Sequence, residues 1–454
     1  MPERELPRSV GKILQKVGEA TSALASGREP VRIISHYDAD GLCAGGILSH
    51  ACLRLGLPFH TTIVHGLTPS LINDLASQSY EWLLFSDLGS GSLDLVERLE
   101  GRVIIIDHHQ PQRESKKLVQ LNCHLWGIDG AFEACASTLA LMLALSLDEA
   151  NWDLSGIAMA GAIGDRQHVG GWKGFNAEVL GAAEARGHIR TRKGLALEGE
   201  NLSRALAESN EPFFRGISGN PAGAAALTEQ AGLSPEATLK ELDEAEASAL
   251  ASLLVLRLLK QGTPEEFASG VMADRHWMNG WDTDSNELSA VVNACGRLGN
   301  EDLGLAVTMG GREALAEARE IRRDYRARIM KGMLELQTRG VQKKRNLQYF
   351  YTDNAQMAGA FAALVMNYLF PAPAPTISLA SEGDSMKISA RGTRALLAKG
   401  LDLAQACRKA AMRSGGDGGG HNIAAGATVP LGAEMSFLEA LDTVVGEQLA
   451  GAGK

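Results

Sequence analysis

The sequence predicts an α/β protein: a mainly parallel sheet comes first, then a helical connecting module, then a smaller α+β domain. Three observations carry this reading. Between residues 31 and 163, short apolar runs alternate with helical stretches, which is the pattern of right-handed βαβ units with helices on both sheet faces. Turn formers Asn210, Pro212, Gly216, Gly219, Pro221 and Gly223 then cluster and mark the end of that domain. After Asn346 strand-like runs return among the prolines at 371, 373 and 375. The boundaries expected are 1–230, 231–345 and 346–454.

The elements follow in order. Residues 8–26 have the pattern of a surface helix, and Val31-Arg32-Ile33-Ile34 opens a strand over 31–36. Helix 42–55, strand 59–65, helix 68–78, strand 82–87, helix 91–99 and strand 102–107 succeed one another. A further strand near 118–123 precedes apolar helices near 134–147 and 153–163. Ser234-Pro235-Glu236 places a capping serine before a proline at the first helical position, so a helix is expected there. From that point to about Arg345 the pattern is mostly helical. Arg319–Arg345 holds ten Lys or Arg against three acids, a local balance of +7, with Ile321, Tyr325, Ile329, Met333 and Leu336 at helical spacing. One face of that helix docks and the other is basic. Leu347–Tyr351, 375–380 and 385–390 read as strands of the last domain, with a helix near 355–368.

A chain of 454 residues implies two or three domains. Its 45% apolar and 22% charged residues are ordinary for a globular protein, and a net charge of -10 argues against a protein coated all round by nucleic acid. The six cysteines show no Cys-x-x-Cys pair and read as free thiols in a reducing compartment. No secretory leader and no span long enough for a bilayer is visible, so a cytoplasmic location without a membrane partner is expected.

The chemistry sits where strands end. Ser35-His36-Tyr37-Asp38-Ala39-Asp40-Gly41 follows the first strand, Asp87 ends Leu83-Leu84-Phe85-Ser86-Asp87, and Asp107-His108-His109 ends Val103–Ile106. Asp165 closes the helix ending in Gly161-Ala162-Ile163-Gly164. In a parallel sheet the carboxyl ends of the strands face one ligand crevice. Phosphodiester hydrolysis needs a nucleophile made at neutral pH and charge compensation on attacking and leaving oxygens; two divalent ions about 4 Å apart supply both. His36, Asp38, Asp40, Asp87, His108 and Asp165 are the expected ligands of two cations, Mn²⁺ or Mg²⁺. His36, Asp38 and Asp87 would hold one ion, and Asp40, Asp87, His108 and Asp165 the other, with Asp87 as the bridge. Residues two apart on an extended segment face one side, so His36, Asp38 and Asp40 are expected to converge before the chain turns at Gly41. Asp107 either accepts a hydrogen bond from a ligating imidazole or ligates directly, which leaves His109 for the substrate phosphate. Gly418, Gly419 and Gly420 read as a loop whose backbone N–H groups meet a phosphate, with His421 and Arg391 adding charged donors.

These motifs, taken together, resemble the DHH phosphoesterase superfamily. His36-Tyr37-Asp38-Ala39-Asp40-Gly41, Asp87, Asp107-His108-His109 and Gly164-Asp165 match its metal-binding motifs in order, and Lys387–Arg391 with Gly418–Gly426 resembles its associated C-terminal domain. The helical middle and Glu287–Arg297 are similar to archaeal RecJ-like exonucleases, including GINS-associated nucleases. The resemblance implies a metal-dependent exonuclease acting on single-stranded DNA or RNA in replication or repair, with GINS or other replication proteins as candidate partners. It implies that Asp107, His109 and Arg391 serve catalysis and that Arg391, Gly418–Gly420 and His421 bind the terminal nucleotide. A phosphodiesterase for short oligonucleotides or cyclic dinucleotides, and a replisome scaffold, are the competing expectations.

Overall fold

The computed structural model describes residues 17–18, 21–78, 80–239 and 241–451. Most of the N-terminal helix expected over 8–26 lies outside them, though 21–26 is helical. The chain divides into two compact units, one of Met1–Arg192 with Asp274–Arg323 and one of Lys193–Ala273 with Asp324–Lys454. The segment expected to form a separate helical module, 231–345, thus contributes 274–323 to the first unit and its remainder to the second.

The first unit is built on five parallel strands: β1 (Val31–His36), β2 (Phe59–Val64), β3 (Trp82–Ser86), β4 (Arg102–Asp107) and β5 (Val119–Asn122), in the order β2-β1-β3-β4-β5. Strand order reverses between β1 and β3, and at such a point a crevice opens beyond the strand ends. Largely apolar runs form β1, β3 and β4 because both faces of these strands are covered. Ile33, Leu84, Ile104 and Ile106 face one core with the helices α1 (Ala39–Arg54), α2 (Ala136–Leu147) and α3 (Ser155–Gly164), while Ile34, Phe85, Val103 and Ile105 face another core. Each such side chain withdrawn from water contributes about 2 kcal/mol.

A two-stranded ribbon, β6 (Ile189–Leu195) with β7 (Met272–Met278), has no counterpart in the sequence reading. Its polar run Arg190-Thr191-Arg192-Lys193 lacks the apolar signature by which buried strands are recognised. The expected helix start at Ser234 is also corrected. Pro235 and Glu236 lie in a turn, and the helix begins after Asp243, whose side chain accepts from Glu246 N while Glu246 reaches back to Asp243 N. Both Ser and Asp can cap, but only the second precedes an uninterrupted apolar stripe, Leu250, Leu254 and Leu258.

The second unit holds a six-stranded mixed sheet in the order β12-β13-β11-β10-β9-β8, with β8 Gln342–Lys343, β9 Gln348–Tyr351, β10 Thr376–Glu382, β11 Ser385–Arg391, β12 Asp417–Gly420 and β13 Ala424–Pro430. Helices Leu403–Arg413 and Glu434–Gly451 pack on one face through Ala406, Cys407, Phe437 and Leu441. Ile329, Met333 and Leu336 of the long helix Arg312–Arg339 are buried, as their spacing requires. No helix among the described residues is long and apolar enough to cross a membrane.

Candidate metal centre

His36 is the last residue of β1, and its Nδ1 lies 3.2 Å from Asp38 Oδ2 and 3.1 Å from Asp87 Oδ2. Asp38 is extended (φ -83°, ψ -176°) and caps α1, accepting from Gly41 N. Asp40 departs from the expectation of one extended segment: it stands in the first turn of α1. It reaches the cluster because both carboxylate oxygens dock on the start of α2, Oδ2 accepting from Ala136 N at 2.7 Å and Oδ1 from Ser137 N at 3.0 Å. A helix N-terminus offers unpaired N–H groups to an anion. The fit is close: a Cβ on Gly161 of α3 would stand 2.6 Å from Asp40 Oδ1 and 2.1 Å from Ser137 Oγ.

Asp87 follows β3 with φ 61°, a left-handed conformation that Asp tolerates better than most residues. Its two oxygens point apart. Oδ2 faces His36, and Oδ1 lies 3.3 Å from His108 Nε2. His108 Nε2 is also 3.1 Å from Asp165 Oδ2 and 3.8 Å from Asp40 Oδ2. The structure therefore brings all six expected ligands together as two sets, His36–Asp38–Asp87 and Asp40–His108–Asp165, with Asp87 between them.

The donors fit cations. Asp87 Oδ1 and Asp165 Oδ2 are buried without a hydrogen-bond donor. His108 Nδ1 lies 2.6 Å from the Gly130 carbonyl, which can only accept, so Nδ1 carries the hydrogen and a neutral ring turns the Nε2 lone pair toward these carboxylates. Facing lone pairs require a positive charge among them. Without a metal a proton takes that place: burial opposes the charged imidazole, yet Asp165 and Asp87 hold His108 well above its ordinary pKa. His36 behaves alike, with Asp38 and Asp87 outweighing burial. Burial, then the nearby Asp87, pushes Asp40 up to about 6; burial, then Asp40, raises Asp165 well above the usual range. Asp38 moves the other way because His36 and Arg297 together outweigh its burial.

Asp107 is buried and hydrogen-bonded through both oxygens, and its carboxylate stands with Asp87 and His109 in a further group of donors able to hold a cation. Oδ1 accepts from His109 N at 3.0 Å and lies 2.7 Å from His109 Nδ1, while Oδ2 accepts from Ser90 N at 2.9 Å. It orients His109, and the imidazole of His108 is oriented by Gly130. The Gly130 carbonyl is itself fixed by a buried chain that sequence reasoning missed. Thr138 Oγ1 donates to Asn176 Oδ1, Asn176 Nδ2 to Gln167 Oε1, and Gln167 Nε2 to both Gly130 O and Ala134 O, the last two at 2.9 and 3.0 Å. No spacing rule marks these residues, since Thr138, Gln167 and Asn176 pair with one another irregularly along the chain and the chain of bonds ends on main-chain carbonyls more than 30 residues away. Arg297, inside the segment singled out from sequence, donates to Tyr37 Oη at 2.6 Å and lies over that ring, while Tyr37 stacks on His65 at 4.1 Å.

Arg391, Gly418–Gly420 and His421 belong to the second unit. Arg391 ends β11 opposite Ala424, and Gly420 pairs with Ala425, so Arg391, Gly420 and His421 gather at one end of the sheet. The glycine run is an edge strand and not the expected loop. Glycine is needed there for contact: a Cβ on Gly418 would meet Cys407 O and Gly426 O, both at 3.0 Å.

Two family models match the chain: the N-terminal domain of the DHH family over residues 30–164 and the DHHA1 domain over 346–447. The protein belongs to the DHH phosphoesterase superfamily and has a RecJ-like fold. An uncharacterized protein of Methanocaldococcus jannaschii is 28% identical over 428 residues, spanning 92% of this chain and 94% of that one. A crystal structure of exonuclease RecJ bound to manganese superposes with a TM-score of 0.58 at 17% identity, covering 98% of this chain and 96% of the other. RecJ of Thermus thermophilus in complex with Mn²⁺ gives 0.59 at 16% identity, covering 96% of this chain and 55% of the other. CDC45 of Entamoeba histolytica gives 0.67 at 11% identity, covering 96% and 99%. At these identities the likeness is one of fold.

Proposed function

We propose that this protein is a metal-dependent exonuclease that removes nucleotides from an end of single-stranded DNA or RNA. The observation that carries the reading is Asp87, whose two carboxylate oxygens serve two separate sets of His and Asp donors. His36, Asp38 and Asp87 would hold one cation and Asp40, Asp87, His108 and Asp165 a second, with Mn²⁺ or Mg²⁺ suited to so many carboxylates. Such a pair, when bound, offsets charge on the attacking and leaving oxygens and makes water acidic enough to supply a nucleophile at neutral pH.

The chain's own residues orient and hold. Asp107 fixes His109 through two contacts, and His109 then donates to a phosphate oxygen of the scissile group. Arg391 and His421 steady the terminal nucleotide at the end of the sheet where Gly420 is exposed, while Gly418 N already donates to Asp417 Oδ1. A scaffold has no need for the intact donor set, and all six donors are assembled here.

Purified protein with Mn²⁺ is to be incubated with end-labelled single-stranded DNA and RNA, with a cyclic dinucleotide as control. Progressive shortening from one end supports the proposal. Cleavage confined to the cyclic dinucleotide or to very short oligonucleotides overturns it in favour of a small-substrate phosphodiesterase.

A further inference from the structure

The ribbon β6–β7 presents two unlike faces. A hydrogen bond from Asn279 N to His188 O at 2.9 Å and a 2.8 Å contact between Thr191 Oγ1 and His276 Nδ1 set an antiparallel register. In it Arg190 stands opposite Trp277 and Arg192 opposite Arg275. The inner face is locked. Ile189, His276 and Met278 are 3%, 2% and 5% exposed, and Trp172 Nε1 donates to His276 Nε2 at 3.2 Å. The outer face carries Arg190 and Arg192, both exposed, and Trp277, which is 47% exposed.

Three features separate this face from ordinary surface. A large indole left in water on a regular strand forgoes burial that its area would reward. Its backbone is held on both sides, by β6 and by a bridge to Asp284, so the ring is offered on a rigid mount. Among the described residues neither Arg190 nor Arg192 has a carboxylate partner, whereas Arg275 is paired with Asp284. Two unpaired guanidinium groups beside an exposed aromatic, on a chain of net charge -10, fit a polyanion that also carries flat apolar rings.

We infer that the outer face of this ribbon, with Trp277 flanked by Arg190 and Arg192, is a stacking platform for single-stranded nucleic acid. A base stacks on the indole while the guanidinium groups contact the flanking phosphates; directly opposed cross-strand side chains are about 5 Å apart, within reach of one nucleotide. The platform belongs to the same compact unit as the metal centre. From Asp165 the chain reaches His168 and then Trp172, whose ring centroids are 5.9 Å apart, and Trp172 meets His276 of the ribbon at 5.6 Å. A strand held here is one whose end is being consumed, so the inference rests on the exonuclease reading and extends it to substrate length.

The full-length protein is to be titrated into labelled oligo-dT with EDTA present, so that nothing is cut, and Kd read by fluorescence anisotropy. Trp277→Ala should weaken binding about tenfold and Trp277→Phe should restore most of it. The double variant R190Q/R192Q should flatten the slope of log Kd against log salt by about 1.4. Hydrolysis of bis-p-nitrophenyl phosphate with Mn²⁺, a diester too small to reach the ribbon, should stay at the wild-type rate in all three. Wild-type strand affinity in these variants overturns the platform, as does a loss seen equally for polyglutamate and absent in Trp277→Ala, which would assign the face to an acidic polypeptide. Strand cutting that continues with unchanged binding sinks the platform alone; a wild-type protein that neither binds nor cuts strands sinks the exonuclease reading with it.

Discussion

Asp87 combines an uncommon backbone conformation with a position between two donor sets, so its backbone and side chain can be tested separately. Asn tolerates the same left-handed conformation and has nearly the same shape. Asp87→Asn should therefore leave the melting temperature of the metal-free protein within a few degrees and lower kcat by at least about a hundredfold, because the charge shared by the two sets is gone. Retention of near wild-type turnover would remove Asp87 from the centre. Gln167 tests the buried amide chain. Leucine at that position removes one of the two donors to Gly130 O and the acceptor of Asn176 Nδ2, so Mn²⁺ affinity measured by titration calorimetry should fall about ten- to a hundredfold, as losses behind a ligating histidine do. The signal that reveals Gln167 is a carbonyl on Gly130 shared by two donors, and no residue type in the sequence announces it.

At the level of elements, the parallel sheet was legible because β1, β3 and β4 are buried on both sides and must be written in Val, Ile, Leu and Phe. The candidate donors at the ends of those strands are legible for the same reason: Asp87 and the Asp107-His108 pair are polar groups at the edge of apolar runs. Asp40 stands on a different kind of segment from the one its spacing predicts, since period-two reasoning carries His36 to Asp38 and then fails where the helix begins three residues before the predicted start at 42. The ribbon was invisible because one face is solvated and the other holds a histidine and a threonine rather than an apolar row. Helix packing offers its own test. Gly161→Ala puts a methyl group where Ser137 Oγ and Asp40 Oδ1 now stand, so α3 must move away from α1 and α2. Overpacking of this kind costs about 1–3 kcal/mol, and here it should also displace Asp40 and weaken Mn²⁺ binding. Urea unfolding paired with calorimetry would show both; a loss of stability with full metal affinity would mean that Asp40 is not held by this contact.

Across the whole molecule the donor cluster imposes a pH dependence on stability. Asp40 and Asp165 bind protons more tightly when folded, Asp40 at about 6 against an ordinary 3.8, so their contribution is present in acid and is lost as pH climbs through that interval. His36 and His108 are also raised, and their contribution is complete below about 6.5 and fades above it. Asp38 and Asp107 are lowered, so their contribution fails only below 3.8. The metal-free protein in EDTA should therefore have its highest melting temperature near pH 4–5 and a falling one toward pH 8. Saturating Mn²⁺ should raise the melting temperature most at the alkaline end, where its ligands are free of protons. A profile that is flat with and without Mn²⁺ would exclude the cluster as a metal site.

Every one of the six thiols is buried, Cys43, Cys52, Cys123, Cys135 and Cys295 in the first unit and Cys407 in the second. Burial pushes Cys52, Cys123, Cys295 and Cys407 up to about 12, so the folded chain offers an electrophile almost no thiolate. Alkylation by iodoacetamide must then wait for the protein to open, which makes each cysteine a clock for its own unit. Mass spectrometry of peptides quenched at intervals should show the five sites of the first unit slowing when Mn²⁺ is added, with Cys407 as the internal comparison.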